Sequence, residues 1–202
     1  MATRKRLSPE ESRASALSAA RALLIEAGPQ AVTLKAVGAR IGRTHANLLH
    51  HFGSASGLQR ALASHLAETV CESVAEAVRA NRAGLGTPRE VVDIAFDAFD
   101  KEGGGALVSW MLATGHEDSI EPFVETIHNL VHDLHPEESD REETRVAHEA
   151  TLAVVLLALG QSLIGAPLAQ SLKLGSSTAR DMAANIIDAS LIQASMDREG
   201  AG

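Results

Sequence analysis

Apolar residues recur at helical spacing along almost the whole chain, separated by glycine, proline and small hydroxylated residues. Ser8-Pro9, with Glu11 three positions after the serine, marks a helix start, and Leu17, Ala20 and Leu24 carry one face as far as Gly28-Pro29. Thr33 is placed to cap a short second helix bearing Leu34, Val37 and Ile41 on one side. Gly42 ends that helix, and Thr44 opens a third that runs to about His51. Beyond Phe52-Gly53, either Ser54 or Ser56 begins a long helix with Leu58, Leu62, Leu66 and Val70 facing inward. It is expected to end between Asn81 and Gly86.

Thr87-Pro88-Arg89-Glu90 is a second capping box, followed by Val91, Ala95 and Phe99 at spacing four. Gly103-Gly104-Gly105 is read as an interruption before Ala106–Ala113, and Glu121–Leu134 as a helix stopped by Pro136. The segment from Glu142 to Ile164 is apolar nearly all round, which predicts burial on more than one side. Gly165-Ala166-Pro167 and Gly175-Ser176-Ser177 are read as breaks, and Thr178 to Met196 as the last helix. The expected fold is all-α, with about nine helices.

Composition narrows the class. The chain has 202 residues, 45% of them hydrophobic and 22% charged, so it can bury a sizeable core. Aromatics make up only 2%, which argues against a strand-rich fold. The single cysteine, Cys71, excludes an internal disulfide and a thiolate zinc site, and nothing cationic in the neighbouring sequence would activate it. The basic start Arg4-Lys5-Arg6 is not followed by an apolar run, and Leu152–Gly160 falls short of a bilayer span. A cytoplasmic chain without a membrane segment is therefore expected. Its net charge of −8 is unevenly spread. Residues 1–60 carry nine Lys/Arg against three acids, a surplus of +6, whereas residues 61–202 carry −14. A basic end docks on phosphate and an acidic body repels it.

Residues 34–51 form two short helical patterns joined by a turn at Gly42, the arrangement of a helix-turn-helix, whose second helix enters the major groove. The matching frame is Ala20, Leu24 and Gly28, then Thr33-Leu34, Val37 and Ile41-Gly42, then Leu48, His51-Phe52-Gly53-Ser54 and Leu58. In this frame residues 10–66 resemble the DNA-binding domain of the TetR family of transcriptional regulators. The resemblance implies a homodimer with a three-helix DNA-binding domain and a larger helical domain for effector binding and dimerisation, divided here as 1–54 and 55–202. It also shows departures. Leu49 stands where the family commonly has a phosphate-binding Tyr, Ala55 where it has Lys, and Arg43 where it has a small apolar residue.

The candidate DNA contacts are Thr33, Lys35, Arg43, Thr44, His45, Asn47, His50 and His51. Thr44, His45 and Asn47 are candidates to read bases, since Asn pairs bidentately with adenine and Thr meets a thymine methyl, while Lys35, Arg43, His50 and His51 are candidates for phosphate. The Arg4-Lys5-Arg6 arm is a candidate minor-groove contact set against a solvating tail. In the C-terminal part, Phe96, Phe99, Trp110 and Phe123 gather most of the aromatic side chains. They are candidate walls of an apolar ligand cavity, with His116 or His128 as polar anchor, set against plain core packing. His128 and His132 lie one helical turn apart, with His135 beyond and His148-Glu149 on the next helix. The HExxH metal pattern fails because Leu152 stands where the second His would be. The triple glycine lacks the Lys-Ser/Thr of a phosphate loop.

The leading expectation is a repressor released from a double-stranded DNA operator by a small-molecule effector. It would be dimeric through residues 142–164 and 178–196 and would need no cofactor or resident metal. The competing expectation is a helical metal- or small-molecule-dependent enzyme built on His128, His132 and His135.

Overall fold

The computed structural model describes residues 8–114, 120–134 and 141–200, and the side chains of all of these except 141–143 and 193–200. The Arg4-Lys5-Arg6 arm, His116 and His135 lie outside the described residues. The chain is all-α as expected, with no strand among the described residues. Its helices are α1 (Pro9–Ala27), α2 (Leu34–Ile41), α3 (His45–Phe52), α4 (Ala55–Arg82), α5 (Pro88–Asp100), α6 (Gly104–Ala113), α7 (Glu121–Leu134), α8 (Arg141–Gly160), α9 (Ala166–Leu172) and α10 (Thr178–Gly200). A π turn, Gln161–Gly165, joins α8 to α9, so those two run on without a break.

Two compact units divide the chain: residues 1–65 with 106–122, and residues 66–105 with 123–202. In the first unit, local chemistry sets every helix end near the turn. The Ser8 hydroxyl accepts from the Glu11 N–H at 3.0 Å while the Glu11 carboxylate accepts from the Ser8 N–H at 2.7 Å, the reciprocal capping box. Thr33 accepts from the Ala36 N–H to start α2, Thr44 from the Asn47 N–H to start α3, and Ser54 from the Gly57 N–H to start α4. Gly42 closes α2 in the left-handed region, with φ of 66°, where a side chain would be strained. Ala16, Leu17, Ala20, Leu24, Val32, Leu34, Val37, Leu48, Phe52, Leu58 and Leu62 make its core.

The second unit is held by α5, α8 and α10. Val92, Phe96 and Phe99 pack with Val154, Ala158 and Ala183, and Phe123 meets Phe99 edge-on at 5.9 Å between ring centroids. Thr87 and Glu90 form the expected capping box at the head of α5. Arg180 of α10 donates to Asp93 at 2.8 Å and Asp97 at 2.6 Å on α5, and its guanidinium lies 5.1 Å from the Phe96 ring centroid. Arg89 adds a contact to Asp181 at 2.6 Å.

Two expectations are corrected here. Only Gly103 of the three glycines precedes α6, because the helix begins at Gly104. Gly165-Ala166-Pro167 does not break the chain. Pro167 lacks an N–H and its ring would press on the carbonyl four residues back, and the wider π turn just before it relieves that clash. As a result Thr144–Leu172 is one helix of 29 residues, long and apolar enough by length and composition to cross a membrane, which the run Leu152–Gly160 alone is not. The apolar residues of this helix are not all covered by the described residues of its own chain, as a helix that packs only one face in its own unit requires. Val154 and Ala158 are buried, but Leu152, Leu156, Leu163, Ile164, Leu168 and Leu172 are exposed, as are Met182, Leu191 and Ile192 on α10.

Candidate functional site

In the first unit, α2 and α3 meet at a turn of unusually close approach. The Arg43 N–H donates to the Gly38 carbonyl at 2.8 Å, and a Cβ on Gly38 would stand 2.8 Å from the Arg43 carbonyl oxygen. Arg13 of α1 secures the other end of α3: it donates to the His51 carbonyl at 3.2 Å and its guanidinium lies 4.9 Å from the Phe52 ring centroid. With Leu48 and Phe52 turned into the core, helical spacing leaves His45, Ala46, Leu49 and His50 on the outward face, and all four are exposed.

Each residue expected to touch DNA has a definite place. Lys35, Arg43, Thr44, His45 and His50 are exposed, and His51 is half-buried with its ring 5.8 Å from that of His50. The Thr33 and Thr44 hydroxyls are engaged as helix caps. Asn47 is half-buried, and its Oδ1 is enclosed without a hydrogen-bond partner among the described residues, so this rotamer does not present both amide atoms outward. Bidentate pairing with adenine would require the side chain to turn. Sequence reading gave Leu49 no contact role, yet it is 42% exposed at the centre of the outward face. The signal was its spacing of three from Ala46 and four from His45. Arg40, which adds to the basic surplus, is bound to Glu26 at 2.5 and 2.8 Å, and that guanidinium holds the Glu26 carboxyl below its ordinary value.

The second unit contains a cavity of about 220 Å³ between α4, α5, α7, α8 and α10. Phe99 and Phe123 line it, together with Leu66, Val70, Val74 and Val131. The other described residues expected at a ligand site are elsewhere. Phe96 is buried in the core beneath Arg180, and His128 is exposed on α7. Trp110 is exposed in the first unit, and His116 lies outside the described residues. Aromatic content was thus a partial guide. The stronger signal was the apolar stripe of α4, which continues past Leu66 through Val70, Val74 and Val78 to form one wall. Cys71 also lines the cavity. Its S–H points to the Thr126 carbonyl at 3.9 Å, and burial pushes its pKa up to about 11, which keeps the thiol protonated. No group of three metal-ligating side chains occurs among the described residues, and His128 and His132 both face solvent.

Residues 16–62 match the family model of bacterial regulatory proteins of the tetR family, a segment running from within α1 through α2 and α3 into α4. No curated protein matches the chain at a significant level.

Proposed function

As a member of the TetR family, and so a DNA-binding transcriptional regulator, this protein, we propose, is a homodimeric repressor that a small molecule releases from its operator. Residues 1–54 act as the DNA-binding domain and residues 55–202 as the effector and dimerisation domain. The observation that carries the regulatory reading is the apolar cavity in the second unit, outside the segment that matches the family. Helix α4 supplies core residues Leu58 and Leu62 to the first unit and cavity residues Val70 and Val74 to the second. A ligand that favours one placement of α4 shifts the population able to grip DNA.

On DNA, the outward face of α3 enters the major groove. Ala46 and Leu49 meet thymine methyl groups, His45 and His50 reach base edges or phosphate, and Lys35 and Arg43 meet the backbone. Thr33 and Thr44 bring helix N-termini to phosphate, Asn47 contributes after turning outward, and His51 supports the backbone contact. The exposed leucines and isoleucines of α8, α9 and α10 are covered by a second copy of the chain. We assign the same cover, and not lipid, to Thr144–Leu172, because Val154 and Ala158 of that helix already pack in the core with α5 and α10. On this reading the protein works in the cytoplasm, performs no catalytic step and needs no cofactor.

Selection of bound DNA from a random duplex pool tests the reading. The expected product is a palindrome with half-sites roughly one helical turn, or a multiple, apart. Absence of any enriched sequence would overturn it.

A further inference from the structure

The polar side chains around the cavity differ in one respect. Asn81 donates to the Gly86 carbonyl at 3.2 Å, Arg82 to the Leu134 carbonyl at 2.8 Å, and Ser190 to the Ile187 carbonyl at 2.7 Å. Cys71 is turned to the Thr126 carbonyl, and Glu102 is likewise engaged. Thr151 of α8, half-buried, is the lining hydroxyl with no hydrogen bond among the described residues. The rest of the wall is overwhelmingly aliphatic and aromatic.

We propose that this cavity binds an uncharged, largely apolar small molecule carrying one hydroxyl or carbonyl group, which hydrogen-bonds Thr151. The assignment rests on the effector reading and gives its ligand a chemical class. Size supports it: about 220 Å³ exceeds the roughly 150 Å³ that holds a benzene ring, so there is room for a ring with a short substituent. The Phe99–Phe123 pair offers an aromatic wall. Charge supports it as well. The ionisable lining groups already have protein partners, so a carboxylate or ammonium in the aliphatic part would enter unpaired, at a large desolvation cost. A hydroxyl or carbonyl needs one partner, and Thr151 both donates and accepts.

Four probes with one skeleton test this: 3-phenylpropanol, 3-phenylpropanoate, 3-phenylpropylamine and propylbenzene, titrated into the full chain by calorimetry at neutral pH. The alcohol is expected to bind at one site per chain, with the acid and the amine roughly 100-fold weaker or worse. Thr151→Val keeps the side-chain shape and should weaken the alcohol about 3- to 10-fold while leaving propylbenzene unchanged. Thr151→Ser should retain the alcohol's affinity. Equal binding of the acid or amine, or an alcohol affinity indifferent to Thr151→Val, overturns the assignment. So does failure of all four probes to bind. Fluorescence anisotropy with the selected DNA, run in parallel, separates the two readings. Binding that obeys this pattern but leaves DNA bound upholds the ligand class and overturns effector release.

Discussion

Gly38 and Leu49 show how single residues shape the turn and outward face of α3 that are proposed to read DNA. A methyl group on Gly38 would press on the Arg43 carbonyl at 2.8 Å, so the turn must open to accept it. Gly38→Ala gains helix propensity, yet the displaced backbone outweighs that gain, and a net loss of about 1–3 kcal/mol is expected in urea unfolding, with weaker DNA binding. Leu49 and Arg43 should behave differently from each other. Arg43→Ala is expected to weaken binding to every sequence alike and to lower the salt-dependence slope by about 1, as loss of a phosphate contact does. On the proposed reading Leu49 instead acts on selected bases. Replacing one contacted thymine by deoxyuridine should cost about fourfold, near the value of one buried methyl, and Leu49→Ala should erase the difference between the two DNAs. A deoxyuridine effect that survives Leu49→Ala would remove this residue from base reading.

Between elements, the ion pairs of α5 and α10 are the informative case. Burial of Asp93 and Asp97 pushes their pKa values up, but hydrogen bonds from Arg180 to both, from Arg89 to Asp93 and from Lys101 to Asp97 outweigh it and hold both below the ordinary carboxylate value. A carboxyl whose pKa falls on folding adds stability above its unfolded pKa of about 3.9, and that stability drains away as pH drops through the lower folded value. Arg180 is only 17% exposed, whereas its partners are more open to solvent, so screening limits the gain. Arg180→Met is therefore expected to cost about 1–2 kcal/mol at pH 7, part of it from the lost contact with Phe96. Urea titrations at pH 7 and pH 3 should show the variant's deficit shrinking at the lower pH. A deficit independent of pH would mean the arginine acts by packing alone.

For the whole molecule, the decisive surface is the row of uncovered leucines and isoleucines along Thr144–Leu172 and α10. Its extent exceeds the scatter of single apolar residues that soluble surfaces carry. Leu156 is 58% exposed, so Leu156→Glu leaves the interior of its own chain untouched. Light scattering at micromolar concentration should find a dimer in the parent protein and a monomer in the Leu156→Glu variant, with DNA affinity reduced because both half-sites are no longer held at once. A parent protein that is monomeric under these conditions would refute the dimer. The acidic surplus on residues 61–202 works with this arrangement, since it disfavours non-specific docking of that part of the chain on DNA.

Local chemistry wrote much of this protein directly into its sequence. Ser8, Thr33, Thr44 and Thr87 announce helix starts because a short side-chain oxygen satisfies an N–H two or three residues ahead, and Gly42 announces a helix end because it tolerates positive φ. Those signals involve neighbours in the chain, so the helix-turn-helix and its family frame were legible without coordinates. Three features were not, and two of them depend on residues far apart in sequence. The outward turn of Leu49 and the inward turn of Asn47 Oδ1 follow from which side of α3 the core claims. The continuous helix through Pro167 depends on a π turn that no propensity signals. The cavity joins α4 to α5, α7, α8 and α10, and only their packing could decide that Phe99 and Phe123 line it while Phe96 fills the core. Capping and periodicity act over one or two helical turns, and cavities and exposed faces arise only where helices distant in the chain meet or fail to meet.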